Sequence, residues 1–212
     1  MLPPVHPAES ADAAAIADIF LRCFNDDYFQ TLFPQNEHGH SYMKDACELF
    51  LTSKARGSQE GRLFVTRDDA GNVVGASLIW IVQPSDNGVW PWKERWPPAN
   101  AGQNDALLDE FFTGMADQQE AAMGKRAHVY FELVFVNPSQ HRKGHATALV
   151  QYAAALADAL GYESYLDAEE DVIDLYIKQG YVARTDIEIT SIMKPMVRPP
   201  LGGAGSGGRT SS

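Results

Sequence analysis

Apolar side chains recur at helical spacing in two stretches near the start of the chain. The first stretch holds Ile16, Ile19, Phe20, Cys23 and Phe24, and the second holds Met43, Ala46, Cys47, Phe50 and Leu51. Residues three and four apart share one helix face, so each stretch predicts an amphipathic helix, the first with Ser10 as its N-cap. Pro34 and Gly39 interrupt the pattern between them, and we expect irregular structure over residues 24–40.

The pattern changes to that of β-strands after residue 60. The runs 63–67 and 73–82 are β-branched and apolar, and the sequence Asp-Asp-Ala-Gly-Asn separates them. A turn of this composition between two apolar runs predicts an antiparallel hairpin. Residues 83–103 contain three of the four tryptophans without any period and are predicted to be irregular. Apolar spacing over 108–115 predicts a further helix.

Strands and helices alternate in the second half of the chain. Residues 128–136 are apolar on both faces, as expected of a strand that is buried on both sides. A helix is predicted from 144 to 160, with Gly161 as its C-terminal cap. Three shorter elements follow, namely a strand over 162–168, a helix over 170–179 and a last strand over 187–194.

This order of elements predicts an α/β (α+β) fold. A hairpin followed by a strand–helix–strand crossover gives a mixed, partly antiparallel central sheet with helices on both faces. We expect a single domain over residues 1–198, with an insertion at about 83–125. The Gly/Ser-rich residues 199–212 are expected to be a flexible tail.

Composition and charge narrow the classes of function. The 212 residues are 45% hydrophobic, which suits one core, and carry a formal net charge of −11. This acidic balance argues against nucleic-acid binding. No apolar run approaches the roughly 18 residues that cross a bilayer, so no membrane association is expected. Two cysteines far apart in sequence and a start that does not resemble a signal peptide lead us to expect a cytoplasmic protein.

A small basic cluster stands between the strand at 128–136 and the following helix. His141, Arg142, Lys143 and His145 surround Gly144. A helix start binds anions through its unpaired N–H groups, a glycine lets a phosphate approach closely, and Arg and Lys add charge. Neither the P-loop pattern nor G-x-G-x-x-G is present. The segment therefore suits a pyrophosphate, although a basic loop without a ligand remains the alternative.

The residues around this cluster resemble a known family. Val134-x-Val136-x-Pro138-x-x-His141-Arg142-Lys143-Gly144-His145-Ala146 resembles the acetyl-CoA-binding signature of the GNAT superfamily of N-acyltransferases. Downstream, 175–181 (LYIKQGY) resembles the L-Y-x-x-x-G-F of that family, and 166–168 (LDA) resembles its L-E-A strand end. Two departures stand out: His141 replaces the usual Arg or Gln, and Val172 stands nearest the place of a helical Asn.

The resemblance implies acetyl-CoA as co-substrate and assigns residues to it. The main chain of Val134, Phe135 and Val136 would contact pantetheine and the thioester carbonyl. The pyrophosphate loop would comprise His141, Arg142, Lys143, Gly144, His145, Ala146 and Thr147. Tyr176 matches the tyrosine that donates a proton to the departing thiolate, and its alternative role is that of a packed aromatic side chain. No metal is expected, because His38-Gly-His40 is too sparse for a site.

Glu132 is the candidate general base. It is a lone carboxylate in an otherwise apolar strand, where a charge is costly unless it is paired or used. The alternatives are a glutamate paired with a basic neighbour or one that faces solvent. Asp167, at the end of the neighbouring strand, is a weaker rival for the role of base.

The acceptor is expected among acidic and aromatic side chains. Asp26, Asp27 and Tyr28 suit an ammonium group, and Trp90, Trp92 or Trp96 suit a cation–π contact with it. A capping acidic pair and a packed aromatic flap are the alternatives. The resulting hypothesis is an N-acetyltransferase that acts on a primary amine of a small molecule through a ternary complex, as a monomer or homodimer. An acyl-CoA-binding sensor or scaffold and a protein N-acetyltransferase remain alternatives.

Overall fold

The computed structural model of the chain describes residues 1–52, 60–86, 88 and 91–201. Seven strands form one sheet in the order β1-β2-β3-β4-β5-β7-β6, with β4 and β5 parallel and the other neighbouring pairs antiparallel. The strands are β1 (Val5–Pro7), β2 (Glu60–Arg67), β3 (Val73–Val82), β4 (His128–Val136), β5 (Glu163–Ala168), β6 (Val182–Ala183) and β7 (Lys194–Arg198). The predicted fold class and the predicted hairpin are both confirmed.

Helices cover both faces of this sheet. They are α1 (Ala13–Cys23), α2 (Asp27–Leu32), α3 (Glu37–Thr52), α4 (Trp92–Arg95), α5 (Asp105–Met123), α6 (His145–Leu160) and α7 (Ile173–Ile177). Trp80, Tyr130 and Tyr165 share a core with α1, α3 and α5 on one face, and Ile79, Phe131 and Leu166 share a core with α6 and α7 on the other. The two cores follow from the alternation of side chains along each strand.

The centre of the sheet opens between β4 and β5. The parallel register runs from His128–Glu163 to Phe131–Leu166, while β4 continues to Val136. On its other edge β4 carries a bulge, since Leu78 pairs with Leu133 and Ile79 with Phe131, which leaves Glu132 as the extra residue. A bulge bends its strand and increases the local twist. We call the resulting opening between the carboxyl ends of β4 and β5 the strand gap.

The last strand was predicted in the wrong place. Residues 187–193 are irregular, with Ile189 and Ile192 exposed, and the strand begins only at Lys194. Pro195 hides the strand in the sequence because proline lacks a ladder N–H. In the structure Pro195 takes part through its carbonyl, which accepts a hydrogen bond from the Arg184 amide at 2.9 Å.

Several further elements differ from the sequence prediction. β1 and β6 were not anticipated, α2 and α4 lie in stretches expected to be irregular, and α5 extends well beyond 108–115 on both sides. Asp26 explains α2, because its carboxylate accepts the Phe29 amide hydrogen at 2.8 Å as an N-cap. Most of the expected flexible tail, from residue 202 onward, lies outside the described residues. Within the described ranges no helix is both long and apolar enough to span a bilayer.

Helix α5 approaches the irregular segment 187–193 at Gly114. The Thr190 hydroxyl donates to the Gly114 carbonyl at 2.8 Å, and the Gln118 side-chain oxygen accepts the Thr190 and Ser191 amides, each at 3.0 Å. A Cβ atom at position 114 would lie 2.5 Å from the Thr190 carbonyl oxygen. The glycine therefore permits the contact that orders this segment beside β5.

Gly114→Ala should destabilise the protein by about 1–2 kcal/mol because the methyl group meets a backbone oxygen that cannot turn aside. Helix propensity alone would give a gain of about 1 kcal/mol, so the sign of the change tests the contact. Urea unfolding measures it, with Thr113→Ala at an exposed position of the same helix as the control. A stabilising Gly114→Ala would contradict the close approach.

Candidate active site

The loop between β4 and α6 has the backbone of an anion site. Arg142 has a φ of 62° and Gly144 a φ of 88°, so two left-handed residues curl the main chain into the start of α6. The first turn of this 16-residue helix presents unpaired N–H groups and a partial positive charge. Arg142 and Lys143 are exposed beside it. The predicted junction therefore has the geometry that an anion requires.

The side chain of His141 turns back toward the end of β4. Its Nε2 lies 2.9 Å from the Val136 carbonyl oxygen. A carbonyl only accepts, so Nε2 carries the proton in this contact. The ring thus links the loop to the end of the strand.

A cleft of about 470 Å³ runs from this loop to the strand gap. Most of the residues predicted to bind the cofactor line it: Val134, Phe135, Val136, His141, Arg142, Gly144, His145, Ala146 and Thr147. Tyr176, Glu169 and Cys23 line it as well. Lys143 lies instead on an adjoining depression with Arg67 and donates to the Gln140 side chain at 2.7 Å. The volume is within the range of small-molecule sites.

The main chain of β4 presents alternate amides to this cleft. The Asn137 amide donates to the Val74 carbonyl on β3 at 2.8 Å. Because the hydrogen-bonding direction alternates along a strand, Phe135 also faces β3, and Val134 and Val136 face the gap. The Val136 carbonyl accepts the Cys23 thiol at 3.2 Å, which agrees with this direction. Burial raises the pKa of Cys23 to about 11, so the thiol stays protonated as a donor.

Tyr176 lies where the cleft meets the strand gap. It is buried on α7, and its ring packs edge-on against Tyr181 with centroids 5.9 Å apart. Burial, and to a lesser degree Tyr181 and Glu169, raises the pKa of Tyr176. Its hydroxyl is therefore a proton donor throughout the neutral range.

Glu132 is paired with a basic residue, one of the alternatives that the sequence left open. Its side chain is 1% exposed and forms an ion pair with Arg95, which is 3% exposed. It also accepts the indole N–H of Trp96 at 3.0 Å and that of Trp80. These donors occupy both carboxylate oxygens. The role of Glu132 as general base stays a prediction.

Sequence reasoning missed Arg95, although it lies in the tryptophan-rich stretch. Its guanidinium lies 5.7 Å from the Trp80 ring centroid and 5.4 Å from that of Tyr130. Both distances are within the range of cation–π attraction. The available signal was the Lys-Glu-Arg sequence between tryptophans, which places cations beside aromatic residues in the chain.

Asp167 faces Glu132 across the strand gap. Its Oδ1 accepts the Tyr165 hydroxyl and the Gln118 amide, each at 2.8 Å. Its Oδ2 is enclosed and has no hydrogen-bond partner among the described residues. Burial raises the pKa of Asp167 to about 7, against the two hydrogen bonds, which lower it. Sequence analysis predicted this aspartate only as a rival base, and it did not indicate Gln118 or Tyr165.

Two small cavities continue the cleft through the gap. One of about 60 Å³ lies between the strand ends and is lined by residues that include Asp167, Glu132 and Tyr176. The other, of about 40 Å³, lies on the α1 and α5 side and is mostly aromatic. The cleft, the gap and the aromatic cavity thus form one succession of spaces through the sheet.

The residues predicted to bind the acceptor lie around this aromatic side. Asp26 caps α2, Asp27 is exposed, and the Tyr28 ring lies 6.2 Å from that of Phe111. Trp92 stacks on Phe112 at 4.8 Å and donates to Asp109 at 3.1 Å, and Trp96 lines the cavity. Trp90 lies outside the described residues. Asp26 is therefore a helix cap, and Trp92 is part of a packed aromatic flap. Contact of either residue with an acceptor stays a prediction.

In the described part of the chain, no group of three or more His, Cys, Asp or Glu side chains is placed to hold a metal ion.

Comparison with known proteins identifies related sequences and folds. Residues 14–181 match the family model described as acetyltransferase (GNAT) family. Among curated proteins, none matches the sequence. A protein described as histone acetyltransferase HPA2 and related acetyltransferase, from Corynebacterium glutamicum, is 23% identical and covers 94% of this chain and 97% of its own, with a TM-score of 0.59.

Two further solved structures contain the cofactor. A phosphinothricin acetyltransferase from Sinorhizobium meliloti, in complex with acetyl-CoA, is 14% identical over 94% of this chain and 89% of its own, with a TM-score of 0.56. The PaiA N-acetyltransferase from Thermoplasma acidophilum, in complex with coenzyme A, is 10% identical over 94% of this chain and 99% of its own, also with a TM-score of 0.56. At these identities the likeness establishes the fold.

Arg95→Met should destabilise the protein by about 3 kcal/mol, because it leaves the buried Glu132 carboxylate without its cation. The double variant with Glu132→Met should recover much of that loss, since no charge then remains buried. Urea unfolding of both variants measures the coupling. Lys93→Met, which removes an exposed pair with Asp109, is the control and should cost less than about 1 kcal/mol. Equal losses for Arg95→Met and Lys93→Met would contradict the argument.

Proposed function

The chain belongs to the acetyltransferase (GNAT) family, and on that premise we propose that it transfers an acetyl group from acetyl-CoA to a primary amine of a small molecule. One observation carries the proposal: a single cleft joins the basic loop, residues 134–136 at the end of β4, and Tyr176. Those are the three parts that an acyl-CoA needs for its pyrophosphate, its pantetheine arm and its sulfur. The cofactor enters as a co-substrate.

In the proposed complex the pyrophosphate occupies the loop at the start of α6. The unpaired N–H groups of the helix and the Arg142 guanidinium neutralise its charge. The acyl-pantetheine arm then follows β4 as an added strand would, and the Val134 and Val136 amides hydrogen-bond to it. An amide that faces the thioester carbonyl stabilises the oxyanion of the tetrahedral intermediate.

The reaction is direct attack in a ternary complex. The acceptor ammonium first loses a proton, and the nitrogen lone pair then forms the C–N bond to the thioester carbon. Collapse of the tetrahedral intermediate breaks the C–S bond and releases the thiolate. The nitrogen loses a second proton, and the sulfur gains one to leave as CoA thiol. Holding both reactants in one cleft supplies much of the rate enhancement.

Tyr176 is proposed to donate the proton to the departing sulfur. Its raised pKa keeps the hydroxyl protonated, and a thiol has an ordinary pKa of about 8.5. Proton donation in the transition state matters because a thiolate is otherwise released into a site with few polar groups.

The small volume of the spaces beyond the thioester position supports a small-molecule acceptor. The gap cavity has a volume of about 60 Å³ and the aromatic cavity about 40 Å³. Each is far smaller than the space that a bound peptide would need. A protein N-terminus or lysine is the alternative acceptor. Turnover of peptides in preference to every small amine would favour that alternative.

Tyr176→Phe should lower kcat by about 100-fold, because only the proton donor is removed. The KM for acetyl-CoA should change little, since the ring remains in place. Thiol release from acetyl-CoA in the presence of a panel of primary amines measures both constants. Tyr181→Phe, which alters the adjacent buried tyrosine outside the cleft, is the control. Cofactor binding without amine-dependent thiol release in the wild type would instead indicate an acyl-CoA-binding protein without transfer activity.

Arg142→Gly should weaken acetyl-CoA binding about tenfold, through loss of one charge-assisted contact. Glycine retains the left-handed backbone of this position, so the loop keeps its shape. Calorimetric titration with acetyl-CoA and with acetylated pantetheine, which lacks the pyrophosphate, separates charge from general damage. Affinity for the pantetheine compound should be unchanged. Lys44→Ala, at a lysine on α3 remote from the cleft, is the matched loss of charge.

A further inference from the structure

We propose that Asp167 is the base that takes the proton from the acceptor ammonium, and that the aromatic cavity beside it selects a small primary amine with an apolar carbon body. The inference rests on the proposed acetyl transfer and specifies its acceptor side. It assigns the base to β5, across the strand gap from the residue that the sequence favoured.

The two carboxylates that line both the gap cavity and the aromatic cavity, Glu132 and Asp167, differ in what their oxygen atoms do. Arg95 and two indole N–H groups occupy both oxygens of Glu132. Asp167 has both of its donors on Oδ1, while Oδ2 is enclosed and has no partner in the described residues. A base needs a lone pair directed at the proton that it receives. Oδ2 of Asp167 is the oxygen with that lone pair available.

Gln118 is the positioning residue for Asp167. Its Oε1 accepts the Thr190 and Ser191 amides at 3.0 Å, so its Nε2 is the atom that donates to Asp167 at 2.8 Å. The Tyr165 hydroxyl donates to the same oxygen. With both donors fixed on Oδ1, the orientation of the carboxylate is set, and Oδ2 is left without a hydrogen-bond partner among the described residues. The residues of α5 and of segment 187–193 thus orient the proposed base.

Asp167 and Tyr176 share the gap cavity. Both residues line its 60 Å³, together with Val134 from the strand whose amides face the gap. The proposed proton acceptor, proton donor and carbonyl-binding amide therefore surround one space. An amine nitrogen in that space lies between the carboxylate that takes its proton and the thioester carbon that it attacks.

The aromatic cavity defines the carbon body of the acceptor. Phe24, Phe29, Phe33, Phe111, Phe112 and Met115 are among its lining residues. Aromatic faces attract an ammonium group and also pack against an apolar body. Its polar lining consists of Glu132 and Trp96, which hydrogen-bond to each other, together with Asp167 and Tyr130. A second polar group on the amine would meet few partners there, which is unfavourable. The volume of about 40 Å³ admits only a few carbon atoms.

The charged and titratable groups around Asp167 come from several elements. The Glu132–Arg95 ion pair and Tyr130 lie across the gap, Tyr165 lies on its own strand, and Gln118 on α5 is neutral. Tyr176 on α7 and Glu169 line the same gap cavity. Opposite charges on Glu132 and Arg95 largely cancel at this distance. Burial then dominates and raises the pKa of Asp167 to about 7. The carboxylate therefore becomes available as a base as the pH rises through neutrality.

The proton transfer balances without any further reactant. One proton of the ammonium moves to Oδ2 of Asp167, and the neutral amine attacks the thioester. The second nitrogen proton leaves after the C–N bond has formed, the sulfur takes one proton from Tyr176, and solvent restores both side chains. The net products are the acetamide, CoA thiol and one proton.

Asp167→Asn tests this assignment through the basicity of the amine. With ethylamine, kcat/KM should fall at least about 100-fold. With 2,2,2-trifluoroethylamine, which is similar in size and largely unprotonated at neutral pH, the loss should be less than about tenfold, because no base is needed to free its lone pair. The rise of wild-type kcat/KM for ethylamine through about pH 7 should also disappear. Asp174→Asn, at an exposed position of α7, is the control for loss of a nearby carboxylate.

Stability provides a second readout, which tests whether Asp167 carries the unfavourable buried charge that the proposal requires. A carboxyl whose folded pKa is raised binds its proton more tightly in the folded state, so its contribution to stability falls as the pH rises from about 4 to about 7. The Asp167→Asn variant has no carboxyl to ionise at this position, so it does not lose stability in this way. It should therefore show a higher Tm than the wild type above pH 7. Near pH 4 the difference should vanish. A lower Tm at every pH would mark Asp167 as a structural residue and overturn the proposal.

The selectivity claim is tested with amines of equal size. Propylamine should exceed ethanolamine and ethylenediamine in kcat/KM by at least about tenfold, because each of the latter buries an unpaired polar group. Equal rates would overturn the apolar acceptor. Equal losses for both fluorinated and unfluorinated ethylamine in Asp167→Asn would overturn the base. Absence of thiol release with every amine in the wild type would instead refute acetyl transfer itself.

Discussion

After the Phe131–Leu166 pair, β4 and β5 diverge, and the main-chain groups along their inner edges need partners other than a neighbouring strand. Buried backbone amides without partners are costly, so an opening in the middle of a sheet has to be filled or used. Here the Val136 carbonyl is satisfied by Cys23 and His141. In the proposed complex, the amides that face the gap pair with the acyl-pantetheine arm. The divergence thus leaves main-chain groups that a ligand can pair with.

The bulge at Glu132 shapes the β4 side of the strand gap. An extra residue in β4 directs a carboxylate into the aromatic core, where a lone charge would be strongly unfavourable. Arg95 offsets that cost, and to do so it draws the tryptophan-rich stretch over the sheet and onto α5. A buried pair of this kind adds little net stability by itself. Its effect is to fix one position of the stretch that closes the acceptor side.

On the β5 side of the gap, Oδ2 of Asp167 remains without a hydrogen-bond partner among the described residues. Gln118 and Tyr165 hold Asp167 through a single oxygen, and Gly114 lets segment 187–193 approach closely enough to orient Gln118. A buried carboxylate with an open lone pair is destabilising, and such groups persist in proteins where activity requires them. This contrast between the fully paired Glu132 and the partly paired Asp167 is the physical basis for assigning different roles to the two residues.

The sequence by itself determined the central strand, the basic loop and the helix after it. In that part of the chain each local signal agrees: an apolar run buried on both faces, a left-handed glycine at 144, and an apolar stripe that ends at Gly161. The resemblance of residues 175–181 to the family motif also singled out Tyr176, which lines the cleft. Tertiary structure decided the rest. Pro195 concealed β7, in which it takes part through its carbonyl because it has no amide hydrogen. The partner of Glu132 lies 37 residues away on the tryptophan-rich stretch, and Gln118 lies 49 residues from Asp167. Which carboxylate is paired and which stays open depends on these long-range contacts, and no periodicity in the chain encodes them.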